Sequence, residues 1–245
     1  MANTKKIALI TGANKGIGKE TARQLGQQGY TVLVGARDLA KGQAAADELK
    51  AAGIDAHAVE IDVTSGASIA KAVGWVTERF SHLDALINNA GVALDFGRTS
   101  SEAPEDIWRQ TFDTNVFGLV STTQAFLPLV RKSPAGRIVH LTSILGSIAL
   151  VSDPKSPIGG VSGTGAAYGA SKAAVNMFTA HLARELAGTA IKVNAAHPGW
   201  VKTELGGEGA MLEIPEGART SVALATLGAD GPTGQYIHQG QQLPW

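Results

Sequence analysis

Ile7-Ala8-Leu9-Ile10-Thr11-Gly12-Ala13-Asn14-Lys15-Gly16-Ile17-Gly18 is the stretch that decides the fold. Ile7 to Ile10 is a short, wholly apolar run, the pattern of a strand buried on both faces. Thr11-Gly12 closes it, and residues from about Ile17 to Gln28 read as a helix. Gly12, Gly16 and Gly18 therefore stand between a strand and a helix. Glycines there permit a sharp turn and let a pyrophosphate approach a helix N-terminus, where free N–H groups point outward. The spacing is Gly-x-x-x-Gly-x-Gly, not the Gly-x-Gly-x-x-Gly of the standard dinucleotide fingerprint, and an ordinary glycine-rich turn is the competing reading.

Downstream the chain alternates. Strands are expected at Tyr30–Gly35, Ala56–Ile61, Leu83–Asn88, Arg137–Leu141, Ile191–Ala195 and Gly234–His238. Helices are expected at Leu39–Lys50, Ser68–Phe80, Pro104–Arg131, Ala170–Leu186 and Glu216–Leu227. A helix in each crossover calls for a parallel sheet covered on both faces. No linker divides the 245 residues, so one domain is expected. The irregular stretch 147–165, rich in glycine and proline, is long enough to suggest a functional loop.

Composition narrows the function. Hydrophobic residues make up 44% and charged residues 17%, which is globular and not disordered. Lys plus Arg is 21 and Asp plus Glu is 21, a balance that argues against a chain built around nucleic acid or an anionic membrane. Cysteine is absent, which removes disulfides, zinc-thiolate sites and cysteine nucleophiles together. The segment after Met1 to Lys6 is too short in apolar residues for a signal core, and no run approaches a membrane span, so a soluble cytoplasmic protein is expected. His140, His181 and His197 lack partners at metal spacing and read as structural, with no metal expected. Ser143 is not in a Gly-x-Ser-x-Gly elbow, which argues against a hydrolase.

At the end of the second strand a carboxylate would select NAD, and a basic residue would accommodate a 2′-phosphate. Ala36 is neutral and Arg37 follows; with Lys15 it would set two cations against that phosphate, which favours NADP. Asp38 reads as the N-cap of the next helix. Asp62 could accept from an adenine amino group or cap the helix beginning near Ser65. Tyr168 and Lys172 stand at i and i+4 on one helical face. A phenol has a reference pKa of about 10, and a nearby ammonium is expected to lower it, a change of roughly 3 units needing about 4 kcal/mol.

Taken together, Thr11-Gly12-x-x-x-Gly16-Ile17-Gly18, Asp62-Val63, Asn88-Asn89-Ala90-Gly91, Asn115, Ser143, Tyr168-x-x-x-Lys172 and Pro198-Gly199 resemble the short-chain dehydrogenase/reductase family. Pro198 to Leu205 and the segment from Gly231 to Tyr236 resemble its NADPH-dependent carbonyl reductases. The resemblance implies a single Rossmann-type, doubly wound parallel sheet of about seven strands, order 3-2-1-4-5-6-7, over residues 1–245. It implies an insertion at 147–165 near the active site and a short substrate-loop region at 199–215. It implies reduction of a ketone or aldehyde by hydride from NADPH. Tyr168 would be the general acid, Lys172 would lower its pKa and hold the nicotinamide ribose, Ser143 would bind the substrate carbonyl, and Asn115 would hold a relay water. Gly12, Asn14, Lys15, Gly16, Ile17, Gly18, Arg37, Asp62, Val63, Asn89, Ala90, Gly91, Pro198, Gly199, Val201 and Thr203 would line the coenzyme site. Asn88, Asn89 and Asn115 have the competing duty of tying backbone groups together.

The pocket expected from the same resemblance draws on Ser143, Ile144, Leu145, Tyr168, Trp200, Val201, Leu205 and Met211, an apolar lining that favours aryl or alkyl ketones over sugars. Ser143 and Tyr168 lie 25 positions apart, nearly twice the spacing common in the family. The extra residues put the family's usual tetramer in doubt and favour a monomer or homodimer. The short, glycine-rich Gly206-Gly207-Glu208-Gly209 suggests a small, open lid. Two alternatives stand beside the reductase: an NAD-dependent alcohol dehydrogenase working toward oxidation, and a non-catalytic dinucleotide sensor on the same fold.

Overall fold

β1 (Ile7–Ile10) is buried along its whole length and pairs in parallel with β2 (Thr31–Ala36) on one side and β4 (Ala85–Asn88) on the other. β3 (Ala56–Glu60), β5 (Arg137–Leu141), β6 (Lys192–Ala196) and β7 (Tyr236–His238) extend this parallel sheet, and β8 (Gln241–Gln242) closes one edge antiparallel to β7. The order is β3-β2-β1-β4-β5-β6-β7-β8, the expected winding with one added edge strand. That eighth strand has two polar, exposed residues and no hydrophobic alternation to announce it. Its turn, Gln239-Gly240, has positive φ at both positions, the twist a tight hairpin needs. The computed structural model describes residues 5–160, 163 and 165–245. Met1 to Thr4, which began the segment weighed as a signal, and Val161, Ser162 and Thr164 of the expected insertion lie outside the described residues.

Strand residues alternate between two cores. Ile10, Val34, Ile87 and Val139 face α1 (Gly16–Gln27), α2 (Leu39–Ala51) and α8 (Ile214–Ala225), meeting Leu25, Leu49 and Val222. Leu9, Leu33, Leu86 and Ile138 face α3 (Gly66–Arg79), α5 (Leu119–Val130) and α7 (Ala166–Glu185), meeting Val76, Phe126 and Leu182. Among the described residues no helix is long and apolar enough to cross a membrane.

Three helical stretches depart most from the sequence expectation. The run expected as one helix from Pro104 to Arg131 is α4 (Glu105–Phe112), a wide π-helical turn over Asp113–Gly118, and then α5. Such turns recur at functional sites. Gly118 allows this one to pack closely, since a Cβ there would lie 2.8 Å from the Val63 carbonyl oxygen. The stretch 147–165 contains a short helix, α6 (Ile148–Ser152). α7 begins at Ala166 and not Ala170, which places Tyr168 in its first turn.

His140 on β5 is fully buried, as its structural reading requires. Its Nδ1 and Nε2 meet the hydroxyls of Thr179 at 2.9 Å and Thr123 at 3.4 Å, and its ring stacks on Phe178. Burial, with the charge of Lys172 adding to it, pushes its pKa from 6.5 down to about 3. Between those values the unfolded chain binds the proton and the folded chain does not, so stability is lost as pH falls. At pH 5 the cost is about 2 kcal/mol relative to neutrality. Urea titrations at pH 7 and pH 5 should therefore show a larger loss for the wild type than for His140→Asn; equal losses would show that His140 does not carry the effect.

Candidate active site

The glycine-rich turn is stitched to the loop after β4. Thr11 Oγ1 accepts hydrogen bonds from the N–H of Asn89 and of Ala90, each at 3.0 Å. Asn89 Nδ2 donates to the carbonyls of Thr11 at 2.8 Å and Gly12 at 3.1 Å. Asn89 thus does the backbone-tying duty that competed with coenzyme contact, whereas Asn88 donates to a side chain, Thr123 Oγ1, at 2.9 Å. Gly12, at φ +63°, brings the turn against Ala90, whose Cα would lie 3.0 Å from an added Cβ. Ala90, Asn14 and Ile17 are each half-buried. α1 starts after Lys15 with no side-chain cap, so its first N–H groups are available to an anion. These features fit a dinucleotide pyrophosphate.

At the other end of that site, Arg37 is exposed just beyond β2. Asp38 caps α2 by accepting from Lys41 N at 3.1 Å, as its sequence context implies. Lys15 is not a free cation; it forms an exposed ion pair with Glu204 from the loop after β6. Asp62 does not cap α3, since Ser65 does; its Oδ1 instead accepts from Thr64 N and Oγ1 at 2.9 and 2.7 Å. Val63 is buried beneath the π-helical turn. Thr203 accepts from Gly206 N at 3.1 Å, and its methyl would lie 3.6 Å from a Cβ on Gly16.

Beyond the carboxyl end of β5, Ser143 lies near enough to the Tyr168 phenol to act on its acidity. Ser143 is itself held as the cap of a short 3-10 turn, Ile144–Gly146. Lys172 lies one turn further along α7, its Nζ 5.6 Å from the Tyr168 ring centroid and 3.1 Å from the Leu141 carbonyl oxygen. Asn115, in the π-helical turn, exchanges two hydrogen bonds with the Val92 backbone at 2.8 and 2.9 Å and donates to Ser171 Oγ at 3.0 Å. Gly91 faces both groups; a Cβ there would lie 3.3 Å from Asn115 Oδ1 and 3.4 Å from Lys172 Nζ. Asn115 and Lys172 are thus brought together at Gly91, Lys172 beside the Tyr168 ring, and Ser143 near its phenol.

Burial governs the electrostatics of the cluster: it pushes the Tyr168 phenol up to about 12, and Ser143 offsets this only in part. Burial also brings Lys172 down to about 8. The ammonium lies beside the ring and donates to the Leu141 carbonyl. At neutral pH Tyr168 keeps its proton.

The expected apolar lining divides. Trp200, Leu205 and Met211 are exposed on the loop after β6, where Trp200 Nε1 donates to the Gly206 carbonyl at 2.7 Å. Val201 is buried against Gly217 of α8 and does not face the cleft. Leu145 lines a separate cavity of about 470 Å³ with Arg98, α6 and Gly169. Ile144 stays half-buried beside Ser143.

Two contacts escaped sequence reasoning. His197, at the end of β6, accepts at Nδ1 from Ile144 N (3.3 Å) and Gly199 N (3.4 Å), linking the serine turn to the Pro198-Gly199 loop. Burial, with His238 4.7 Å away ring to ring, holds its pKa near 3. Its position between two site loops was not foreseen. The other is Asp95, buried against the first turn of α7. No signal in the sequence joins it to a helix 72 positions away.

A doubly wound sheet with a glycine-rich turn after β1 and a Ser–Tyr–Lys cluster at its carboxyl edge defines a dinucleotide-linked oxidoreductase. A family model described as short chain dehydrogenase matches residues 6–210, and the chain belongs to that family, the short-chain dehydrogenases/reductases. It is 40% identical over 234 residues to short-chain dehydrogenase anuI of Penicillium roqueforti, covering 93% of this chain and 91% of that protein. It is 32% identical over 282 residues to carbonyl reductase [NADPH] 1 of Mus musculus, covering 100% of each. Among solved structures, salutaridine reductase from Papaver somniferum superposes with a TM-score of 0.80 at 27% identity, covering 96% of this chain and 100% of that one. A variant of actinorhodin polyketide ketoreductase with NADPH gives 0.82 at 32% identity, covering 96% and 95%.

The His197 link predicts a positional rule. Asn keeps an acceptor near the Nδ1 position and Gln does not. His197→Gln should destabilise by about 1–3 kcal/mol through two stranded N–H groups, and His197→Asn by less. Urea midpoints that rank the two variants the other way would dismiss the Nδ1 link.

Proposed function

We propose that this protein reduces a ketone or aldehyde to an alcohol with NADPH. The reading is carried by one observation: Lys172 Nζ lies 5.6 Å from the Tyr168 ring one turn further along the same helix, with Ser143 beside the phenol. A bound NADPH would supply the hydride. Two hydroxyls converging on the carbonyl oxygen would stabilise the alkoxide charge that develops there, and one such donor is typically worth about 10²–10³ in rate. Tyr168, protonated at neutral pH, gives its proton to that oxygen. Lys172 holds the ribose hydroxyls and stabilises the phenolate left behind, and Asn115 positions a water on the route by which the proton is restored. The turn from Gly12 to Gly18 holds the pyrophosphate, and Arg37 and Lys15 hold the 2′-phosphate.

Similarity to a carbonyl reductase and a ketoreductase supports this direction and coenzyme. Trp200, Leu205 and Met211 support an apolar substrate. The chain acts as one domain in this reading, with 147–165 as an insertion beside the site. One observation favours NAD-linked oxidation as a second reading: Glu204 already neutralises Lys15 at the phosphate end.

A spectrophotometric panel of ketones, aldehydes, quinones and alcohols with NADPH and NADH tests the proposal. NADPH-linked reduction is expected, and Tyr168→Phe should lower it by about 10²–10⁴-fold while NADPH still binds. Comparable turnover by wild type and variant across the panel would remove Tyr168 as the acid. Arg37→Asp should weaken NADPH far more than NADH; specificity constants unchanged for both would show that Arg37 does not read the phosphate.

A further inference from the structure

Tyr168 is the third residue of α7, and a helix's first turn is the part that frays. The N-cap of α7 is Gly165, which has no side chain with which to cap it. Its φ of +81° is one that L side chains rarely adopt. Lys172 lies a turn deeper and is anchored on the Leu141 carbonyl. The two residues of the pair are therefore not equally secured by their own helix.

The missing cap comes from the loop after β4. Asp95, 1% exposed, accepts from Ala167 N through Oδ2 at 2.7 Å and from Tyr168 N through Oδ1 at 3.3 Å. Its neighbour Phe96 packs edge-on against the Tyr168 ring, centroids 5.2 Å apart. Gly165 leaves room for both, since a Cβ there would lie 2.9 Å from Asp95 Oδ1 and 2.8 Å from Phe96 Cδ1. The same loop carries Gly91, which faces Lys172 and Asn115, and Val92, which is bound to Asn115.

We propose that Asp95 is a positioning residue for Tyr168. Its carboxylate caps α7 from outside the helix and fixes the phenol relative to the loop that borders the coenzyme cleft. This rests on the reductase reading for its effect on rate, but the clamp itself is a matter of geometry. A carboxylate suits the task, because two N–H groups at a helix N-terminus favour an anion that can accept at both oxygens. Its loss frees the first turn and leaves the glycine-rich turn, Lys172 and Ser143 as they are. The proton donor should move while the coenzyme site stays intact.

The experiment compares wild type, Asp95→Ala, Asp95→Asn and Gly165→Ala. Asp95→Ala should lower kcat by about 100-fold, the usual effect of a misplacement near 1 Å, with NADPH Kd within about 3-fold of wild type. Asp95→Asn retains an accepting oxygen and should fall between the two. Gly165→Ala, which pushes on the same contact from the other side, should reproduce the loss in kcat. Hydrogen exchange should quicken at Ala167 and Tyr168 in Asp95→Ala and stay unchanged from Lys172 to Glu185. A kcat for Asp95→Ala near that of wild type, a loss of NADPH affinity as large as the loss of kcat, or unchanged exchange at Ala167 and Tyr168 would each overturn the proposal. If the wild type reduces nothing in the panel, the reductase reading falls, and exchange, which needs no substrate, decides the clamp. An Asp95→Ala that does not fold leaves Asp95→Asn and Gly165→Ala to decide it by the same two readouts.

Discussion

A buried ammonium without a carboxylate beside it is the constraint from which the site follows. Lys172 is 4% exposed and donates to a backbone carbonyl, and among the described residues no acidic side chain pairs with it. Burial opposes its charge and brings its pKa to about 8, yet at neutral pH the charge remains. It helps keep His140 neutral beneath the cleft. An unpaired buried cation is costly. That cost is offset when an electron-rich oxygen is brought near, which is the sense in which the cluster is prepared for an alkoxide or a phenolate and not for a cation.

The sheet determines where that preparation can be used. β1 and β4 are neighbours in space, and the chain winds away from them in opposite directions, so a crevice opens where their loops part. Thr11 bridges the crevice at its base by accepting from two N–H groups of the β4 loop. Asn115 fastens the same loop to the π-helical turn, and His197 fastens the β5 and β6 loops to each other. Each fastening is a short polar side chain satisfying buried backbone groups, the condition such groups impose wherever strands end. Loops held in this way can carry a geometry that chemistry depends on.

Local chemistry was legible in the sequence. The apolar run and glycines from Ile7 to Gly18 foretold strand, turn and helix, and Asp38 foretold a cap, because these rest on contacts within four positions. Tyr168 and Lys172 could be paired because helical geometry alone brings them together. What depends on distant contacts was hidden. The early start of α7 needs Asp95, the π-helical turn needs the close approach of Gly118 to Val63, and Lys15 meets Glu204 across 189 positions. The burial of Tyr168 was hidden in the same way: a neighbouring charge can be counted from spacing, but burial, which pushes the phenol up, belongs to the folded chain.

The two ends of the proposed coenzyme site differ in how firmly they are set. Lys15 and Glu204 are both exposed, with side chains 62% and 80% accessible. Such a pair contributes about 0–1 kcal/mol and weakens with salt. A 2′-phosphate carries more charge than one carboxylate and would compete for Lys15 at small cost. Glu204 thus tempers the preference for a phosphorylated coenzyme without forbidding it. The reactive end is held differently, by buried backbone groups: Lys172 donates to the Leu141 carbonyl, Ser143 accepts from Leu145 N, and Asp95 accepts from Ala167 N and Tyr168 N. Evolution or design could therefore alter coenzyme choice through surface charges near Lys15 and Arg37 with little effect on folding. Altering the cluster around Tyr168 would disturb chemistry and packing together.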